Sequence, residues 1–275
     1  MRILALQYDI VWEDKAANHA VIVDQLESVP ATGEELIVLP EMFDTGFSLE
    51  VERTAEDETG PSHQFLAELA RQRGAHLLAG ITVRTNAGRV ENQAVAFDPE
   101  GSVLARYAKI HPFTPGGETG PISPGDEIVT FPVGDFVVAP FICYDLRFPE
   151  IYRIATGRGA HLLVTIANWP QVRKEHWPIL LAARAIENQA FVFGLNRCGQ
   201  DPNHTYAGES ILYDPLGKPL GLADAGQNVM AGEINVKQVL ALRRDFPTQS
   251  DTRPHLYATE QAKNQSAKTD GHKKC

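Results

Sequence analysis

The sequence predicts a mixed α/β fold organised as one large domain. Its 275 residues, 43% of them hydrophobic and 22% charged, are enough to bury a sizeable core. Phe136–Ile142 and Leu162–Ala167 are continuous apolar runs, which is typical of strands covered on both faces. Residues 84–109 instead show turn clusters between β-rich runs, which indicates a meander. Parallel strands with crossovers and antiparallel hairpins are therefore expected in the same chain.

The first third of the chain alternates between strand and helix patterns. Residues 3–7 and 36–39 are short apolar runs of strand type, and residues 16–28 between them carry apolar side chains at helical spacing. Pro61 introduces a second helical pattern that ends at Gly74, because proline near the start and glycine past the end bracket a helix. A strand at His76–Arg84 follows. A β-α-β opening is predicted.

The second half repeats this alternation. Helices are predicted over Pro149–Gly157 and residues 176–190, and strands over residues 191–195, 209–213 and 229–234, with the turn at residues 214–217 between the last two. Residues 258–275 contain no aliphatic side chain larger than alanine, so they cannot offset the entropy of ordering. We expect a domain over residues 1–257 and a disordered polar tail over residues 258–275.

Charge and hydropathy exclude several classes of partner. The formal net charge is −10, and no run of lysine and arginine is present to neutralise a phosphate backbone, so neither nucleic acid nor an acidic membrane is expected to bind. No secretory signal pattern opens the chain, and no stretch approaches the roughly 18 apolar residues of a membrane span. The predicted location is the cytoplasm.

The cysteine and histidine residues indicate a thiol protein without a metal. The three cysteines, Cys143, Cys198 and Cys275, are too few and odd in number for a disulfide framework, so at least one thiol is free. The nine histidines lack the spacing of zinc motifs, and no paired Cys-x-x-Cys is present. Neither a metal nor another cofactor is expected.

Three ionisable residues each follow an apolar strand pattern: Glu41 in LPEMF, Lys109 in YAKIHPF and Cys143 in ICYDLRFPE. Ligands of α/β proteins collect at the carboxyl ends of strands, so we expect the three residues to converge. Their chemistry is complementary, because a carboxylate can deprotonate a thiol nucleophile while an ammonium stabilises the thiolate and an oxyanion. A helix starting near Phe148 is expected to lower the pKa of the thiol further.

These three segments, in this order, resemble the Glu, Lys and Cys signatures of the nitrilase (carbon-nitrogen hydrolase) superfamily, over residues 1 to about 250. The resemblance implies a four-layer α-β-β-α sandwich that pairs as a homodimer or larger assembly through helical faces near the cysteine. It also implies that Glu41 is the general base and Cys143 the nucleophile, with Lys109 and the backbone N–H of Tyr144 holding the oxyanion. Ammonia then leaves, and water cleaves the thioester.

Further segments extend the resemblance. Glu118, in a proline- and glycine-rich stretch after Lys109, occupies the place of the second glutamate of the superfamily, which would orient the lysine and position substrate or water. The sequences ANWP, HW and RAIENQ at residues 167–189 look like the omega-amidase branch, which hydrolyses 2-oxoglutaramate and 2-oxosuccinamate. Such substrates carry a distant carboxylate, for which Arg147 and then Arg173 are the candidate cations. Trp169 and Phe113 are further candidates for substrate contact.

Each of these residues also has a plainer structural interpretation. Cys143 could be an inert buried thiol, and Glu41 with Lys109 could be a structural ion pair. Arg147 could brace the turn by pairing with Asp145 or Glu150. Trp169 and Trp177 could pack in the core or at an interface, and residues 116–120 could be a simple surface loop.

Two other functions remain open at the level of sequence. The same residues suit an amidase of deaminated glutathione, of an N-carbamoyl amino acid or of another small carboxamide. Nitrile hydrolysis is disfavoured, since Tyr144 follows the cysteine as in the amidase branches. A catalytically inert binding or scaffold protein of the same fold is the remote alternative.

Overall fold

The computed structural model describes residues 1–33 and 35–271. Its strands are β1 (Arg2–Gln7), β2 (Glu35–Val38), β3 (His76–Arg84), β4 (Val90–Phe97), β5 (Val103–Ala108), β6 (Phe131–Val133), β7 (Phe136–Ile142), β8 (Leu162–Ala167), β9 (Phe191–Asn196), β10 (Cys198–Gln200), β11 (Thr205–Ala207), β12 (Ile211–Tyr213), β13 (Pro219–Leu222) and β14 (Asn228–Glu233). Its helices are α1 (Lys15–Glu27), α2 (Val51–Thr54), α3 (Pro61–Arg73), α4 (Pro149–Gly157), α5 (His176–Asn188), α6 (Val236–Asp245) and α7 (Pro254–Gly271). Four short 3₁₀ helices lie at Thr114–Gly116, Cys143–Arg147, Gln171–Arg173 and Thr248–Asp251.

Two six-stranded sheets form the centre of the fold. The first has the order β14-β1-β2-β3-β4-β5, and the second has the order β13-β12-β9-β8-β7-β6. In each sheet three central strands run parallel, namely β1, β2 and β3 in the first and β7, β8 and β9 in the second. Antiparallel strands flank them on both sides. The expected mixture of crossovers and hairpins is confirmed.

The alternation of side chains along β1 explains the layers. Ile3 and Ala5 belong to the core shared by the two sheets and helices α4 and α5, whereas Leu4 and Leu6 belong to a second core with α1 and α3. Successive strand residues point to opposite faces, so a strand with apolar residues at every position needs cover on both sides. The order of layers is therefore α-β-β-α, which confirms the predicted fold class.

Most predicted elements lie within a residue or two of the observed ones, but several short elements were missed. The longer helix α7 was not predicted, since a disordered tail was expected from residue 258 onward. The short elements without a prediction are the strands β6, β10, β11 and β13 and the helices α2 and α6. The turn at residues 214–217 leads into β13 and not directly to the last strand. These elements are three to ten residues long, and most lack a sustained apolar period, so their pairing depends on neighbours distant in sequence.

Leu240–Cys275 is a compact unit separate from Met1–Val239. It contains the end of α6, the 3₁₀ helix Thr248–Asp251 and helix α7. Disorder of residues 258–275 in solution stays a prediction, and residues 272–275, with Cys275, lie outside the described residues. No helix in the part of the chain that the structure covers has both the length and the apolar character that a membrane crossing requires.

Gly80 on β3 lets the segment after β2 approach the sheet closely. The Phe43 N–H donates to the Gly80 carbonyl at 2.9 Å, and the Gly80 N–H donates to the Pro40 carbonyl at 3.1 Å. A Cβ atom at Gly80 would lie 2.5 Å from the Glu41 Cα and 2.8 Å from the Met42 backbone nitrogen. Since both neighbours are backbone atoms, only a hydrogen side chain fits here.

We expect Gly80→Ala to lower the free energy of unfolding by roughly 1–3 kcal/mol, because the methyl group must displace the backbone that carries Glu41. Chemical denaturation measures the change. Gly157→Ala is the matched control, because nothing lies within 4 Å of a Cβ built at Gly157. Equal stability of the Gly80→Ala protein and the parent would contradict the close approach.

Candidate active site

Glu41 lies in the segment after β2 and is completely buried. The backbone turns sharply beside it, since Met42 has a φ of +45°. Its Oε1 accepts hydrogen bonds from Lys109 Nζ at 2.9 Å and Asn92 Nδ2 at 2.8 Å, and its Oε2 accepts from the Asn168 backbone N–H at 2.8 Å. Asn168 Nδ2 lies 3.3 Å from the same Oε2. These donors fix the position of the carboxylate.

Lys109 follows β5 and has no solvent exposure. Its Nζ donates to Glu41 at 2.9 Å and to Glu118 at 2.8 Å. Burial alone lowers the pKa of Lys109, but the carboxylates of Glu118 and Glu41 outweigh burial and raise the pKa well above its ordinary value. The side chain is therefore an ammonium. Two of its three N–H groups are used, which leaves one for another acceptor.

Glu118 lies in a loop that folds back onto Lys109. The loop contains the 3₁₀ helix Thr114–Gly116, and Gly117 follows with a φ of +80°. Besides Lys109, the Glu118 carboxylate accepts from the Phe113 backbone N–H at 2.5 Å and from Asn92 at 3.0 Å. Glu118 is fully buried, so this segment does more than connect strands on the surface.

Cys143 stands at the end of β7, as the first residue of the 3₁₀ helix Cys143–Arg147. Its φ is +46°, a left-handed conformation that is strained for a side chain other than glycine. The buried Asp145 braces this turn, because its carboxylate accepts from the Ile142 N–H at 3.1 Å, Tyr107 Oη at 2.7 Å and the His111 N–H at 3.0 Å. The bend turns the sulfur out of the strand toward Lys109.

The thiol of Cys143 is protonated at rest. Burial raises the pKa of Cys143, the Glu41 carboxylate raises it further, and Lys109 opposes them only in part. Helix α4 does begin at Pro149, but the expectation of a lowered thiol pKa is wrong because burial and the nearby carboxylate dominate. The thiol donates to the Asn168 backbone carbonyl, with Sγ 3.9 Å from the oxygen, and the Glu41 carboxylate is close enough to the sulfur to affect the pKa of the thiol. A thiol in this state needs a base before it can act as a nucleophile.

A cleft of about 410 Å³, including its open mouth, leads to the sulfur. Glu41 and Glu118 lie behind it and contact Lys109, whereas the other predicted residues line it directly. The lining residues are Phe47, Lys109, Phe113, Cys143, Tyr144, Arg147, Asn168, Trp169, Pro170, Arg173, His204 and Tyr206. The structure thus brings together all nine residues predicted for the site.

Two arginines face this cleft. The Arg147 guanidinium lies 4.8 Å from the Trp169 ring centroid, and its Nη2 is 3.2 Å from His176 Nδ1. Arg173 lies 5.1 Å from the Phe113 ring centroid. Partial burial and the positive charge of Arg173 lower the pKa of Arg147. Among the side chains that the structure describes, neither arginine has a carboxylate partner, so two cations are left for an anion.

The structure decides several alternatives that the sequence left open. A brace from Arg147 to Asp145 or Glu150 is not found among the described ion pairs, and the Asp145 carboxylate is bound elsewhere. Trp169 lines the cleft, while Trp177 is buried behind it with the two ring centroids 5.4 Å apart. Cys143 is buried but lines the cleft, so its position differs from that of an inert thiol in the core.

Sequence reasoning missed six residues of the site. Asn92 and Asn168 bond to the glutamates, Phe47 and Pro170 line the cleft, and His204 and Tyr206 reach it from the β10–β11 hairpin. Asn168 had a signal, since it follows an apolar strand as Glu41 and Cys143 do. Asn92 lies inside a strand and the hairpin sequence is polar, so neither pattern indicated a site. Among the described residues no group of three or more metal-ligating side chains is present.

The comparisons with known proteins agree on one family. The carbon-nitrogen hydrolase family model matches residues 2–244. A 2-oxoglutaramate amidase of Bacillus subtilis is 36% identical over 93% of this chain and 98% of its own, and omega-amidase YafV of Yersinia enterocolitica is 37% identical over 92% and 96%. A solved CN-hydrolase superfamily protein of Xanthomonas campestris, with an arsenic adduct in its active site, is 33% identical with a TM-score of 0.87 and covers 92% of this chain and 97% of its own. The chain belongs to the carbon-nitrogen hydrolase family, the nitrilase superfamily.

Proposed function

We propose that this enzyme is an omega-amidase, which hydrolyses the terminal amide of 2-oxoglutaramate or 2-oxosuccinamate to the oxo acid and ammonia. One observation carries the proposal. A buried thiol beside a carboxylate and an ammonium opens into a cleft that also holds two arginines without carboxylate partners in the described chain. The two relatives named as omega-amidase and 2-oxoglutaramate amidase support the same substrate class.

The first step is attack on the amide carbon. Glu41 takes the proton of the Cys143 thiol, and the sulfur forms a bond to the carbonyl carbon. The carbonyl oxygen becomes an oxyanion. Lys109 Nζ has one N–H left for this charge, and the backbone N–H of Tyr144 is the proposed second donor. Glu118 holds Lys109 in the orientation that directs this third N–H.

The second half of the cycle releases the products. Glu41 passes its proton to the amide nitrogen, the carbon-nitrogen bond breaks, and ammonia leaves a thioester on Cys143. Glu41 then takes a proton from water, whose oxygen attacks the thioester carbon. The carbon-sulfur bond breaks, the acid leaves, and the thiol of Cys143 recovers its proton. Water is the co-substrate, and no oxidant is needed.

Recognition of the distant carboxylate is assigned to Arg147 and Arg173. Guanidinium groups bind carboxylates through paired N–H donors, and these two share the cleft with the sulfur. Trp169 stacks on Arg147 and Phe113 on Arg173, which fixes the direction of each cation. An amide without a carboxylate at its far end would leave two like charges facing each other unpaired.

Replacement of Cys143 by alanine is expected to abolish ammonia release from 2-oxoglutaramate, because no thioester can form. A coupled ammonia assay measures the loss, and Cys198→Ala is the matched control. Cys198 is also a buried free cysteine but does not line the cleft, so its replacement should leave turnover per folded molecule unchanged. Retained activity in Cys143→Ala would reject the proposed mechanism.

Replacement of Arg147 or Arg173 by leucine is expected to lower kcat/KM for 2-oxoglutaramate about tenfold or more, since a charge-assisted hydrogen bond is worth roughly 1.5–3 kcal/mol. The same variants should change kcat/KM for butyramide little, because this amide has no second charge. Initial rates with both substrates measure the difference.

A wider substrate panel separates the proposal from its neighbours in the family. The parent enzyme should release ammonia from 2-oxoglutaramate and 2-oxosuccinamate faster than from glutamine or deaminated glutathione. A preference for deaminated glutathione, or equal losses on both amides in the arginine variants, would count against an omega-amidase.

We further propose that the protein forms a homodimer and works in a reducing compartment. Ile154 on α4 and Ile179 and Ile186 on α5 are large apolar side chains with 47%, 66% and 57% of their surface exposed. Helices α4 and α5 pack side by side, so these side chains give one outer layer an apolar surface. A catalytic thiol must stay reduced, which favours the cytoplasm.

Replacement of Ile179 by aspartate is expected to shift the protein from dimer to monomer, because a charge would be buried in the contact. Light scattering after size-exclusion chromatography measures the mass. Val23→Asp on α1 is the control, since Val23 is similarly exposed, at 53%, but lies in the layer on the other side of the sandwich. A monomeric parent protein would refute the proposed dimer.

A further inference from the structure

The buried ionic cluster beside Cys143 has unequal charges. Glu41 and Glu118 contribute two carboxylates and Lys109 one ammonium, and all three side chains have no solvent exposure. A buried charge is costly unless hydrogen bonds or an opposite charge compensate it. One ammonium cannot balance two carboxylates, so one negative charge needs other donors.

Asn92 supplies the donors that the two glutamates share, while the backbone N–H groups of Asn168 and Phe113 each serve only one of them. It lies on β4, is fully buried and touches all three ionic residues. Its Nδ2 donates one hydrogen to Glu41 Oε1 at 2.8 Å and the other to Glu118 Oε1 at 3.0 Å. Its backbone carbonyl accepts from the Lys109 backbone N–H at 2.9 Å. Both side-chain hydrogens of this amide are therefore spent on carboxylates.

The orientation of this amide follows from its neighbours. If the nitrogen and oxygen of the Asn92 side chain were exchanged, the oxygen would face two negatively charged carboxylates. In the observed orientation Oδ1 is buried and has no hydrogen-bond partner among the described residues, which costs roughly 1–3 kcal/mol. The two hydrogen bonds to the glutamates therefore come at the cost of an unsatisfied oxygen.

We propose that Asn92 is a positioning residue that compensates the two buried glutamates and aligns them on Lys109, so that Glu41 is held in place to take the proton of Cys143. This inference rests on the proposed function. Asn92 does not contact the substrate and acts only through Glu41 and Glu118. Asn92 belongs neither to the three-residue motif of the family nor to the position of its second glutamate.

The expected pH effect has a definite direction. Removal of the two N–H donors disfavours the charged form of the glutamates, so a proton binds at higher pH and the base is lost earlier as pH falls. The charged or titratable groups that face the cluster are Lys109 and the Cys143 thiol. Arg147, Tyr152 and Tyr206 interact with Cys143 from farther away. All of these groups are unchanged in an Asn92 variant, so a shift of the pH profile reports the loss of the amide.

The test is the pH profile of kcat/KM for 2-oxoglutaramate in Asn92→Leu and Asn92→Asp, each on the full chain. We expect the acidic limb of Asn92→Leu to move upward by about one pH unit, with recovery of much of the activity at higher pH. Asn92→Asp should shift at least as far, because a third carboxylate replaces two donors. Thermal unfolding of each variant confirms that it is folded at the assay temperature.

Asn18→Ala is the matched control. Asn18 is another fully buried asparagine, but its Nδ2 donates only to backbone carbonyls, at 2.8–2.9 Å from the oxygens of Val11, Asp14 and Asp44. Its loss should lower stability and leave the acidic limb in place. An equal loss of activity at every pH in both Asn92 variants, or the same shift in Asn18→Ala, would overturn the inference. Activity in Cys143→Ala is the separate result that would overturn the proposed function.

Discussion

The site depends on one buried ammonium held between two buried carboxylates. Lys109 joins Glu41, from the segment after β2, to Glu118, from the loop after β5, and both contacts are shorter than 3 Å. Removal of any partner would leave an uncompensated charge without solvent, which is strongly destabilising. The cluster therefore fixes the geometry of the segments that carry it. It also raises the pKa of Lys109 enough to keep the ammonium charged beside a developing oxyanion.

The fold meets this constraint by placing the two sheets face to face. The first sheet and its loops supply Glu41, Lys109 and Glu118, and β7 of the second sheet ends at Cys143. Asn168, after β8, bonds to Glu41 across the sheets through its backbone N–H and its side chain. Glu41 and Cys143, the proposed base and nucleophile, are thus attached to different sheets, so the packing of the sheets sets their separation.

The state of the sulfur follows from the same burial. Burial and the nearby carboxylate both raise the pKa of the Cys143 thiol, so the resting enzyme holds a thiol and not a thiolate. A base must therefore take this proton before the sulfur can attack. In the proposed mechanism that base is Glu41, whose carboxylate is held in place by donors from Asn92, Lys109 and Asn168.

By itself the sequence determined the long strands and helices, because continuous apolar runs and helical spacing of apolar residues show which side chains of a segment are buried. It also identified Glu41, Lys109 and Cys143, since each follows such a strand, and the family resemblance added Glu118. Tertiary structure alone decided the role of Asn92, whose partners lie 51 and 26 positions away in sequence. It also decided the direction of the Cys143 pKa shift and the entry of Tyr206 into the cleft. Each of these depends on desolvation and long-range contacts, which no local pattern of residues encodes.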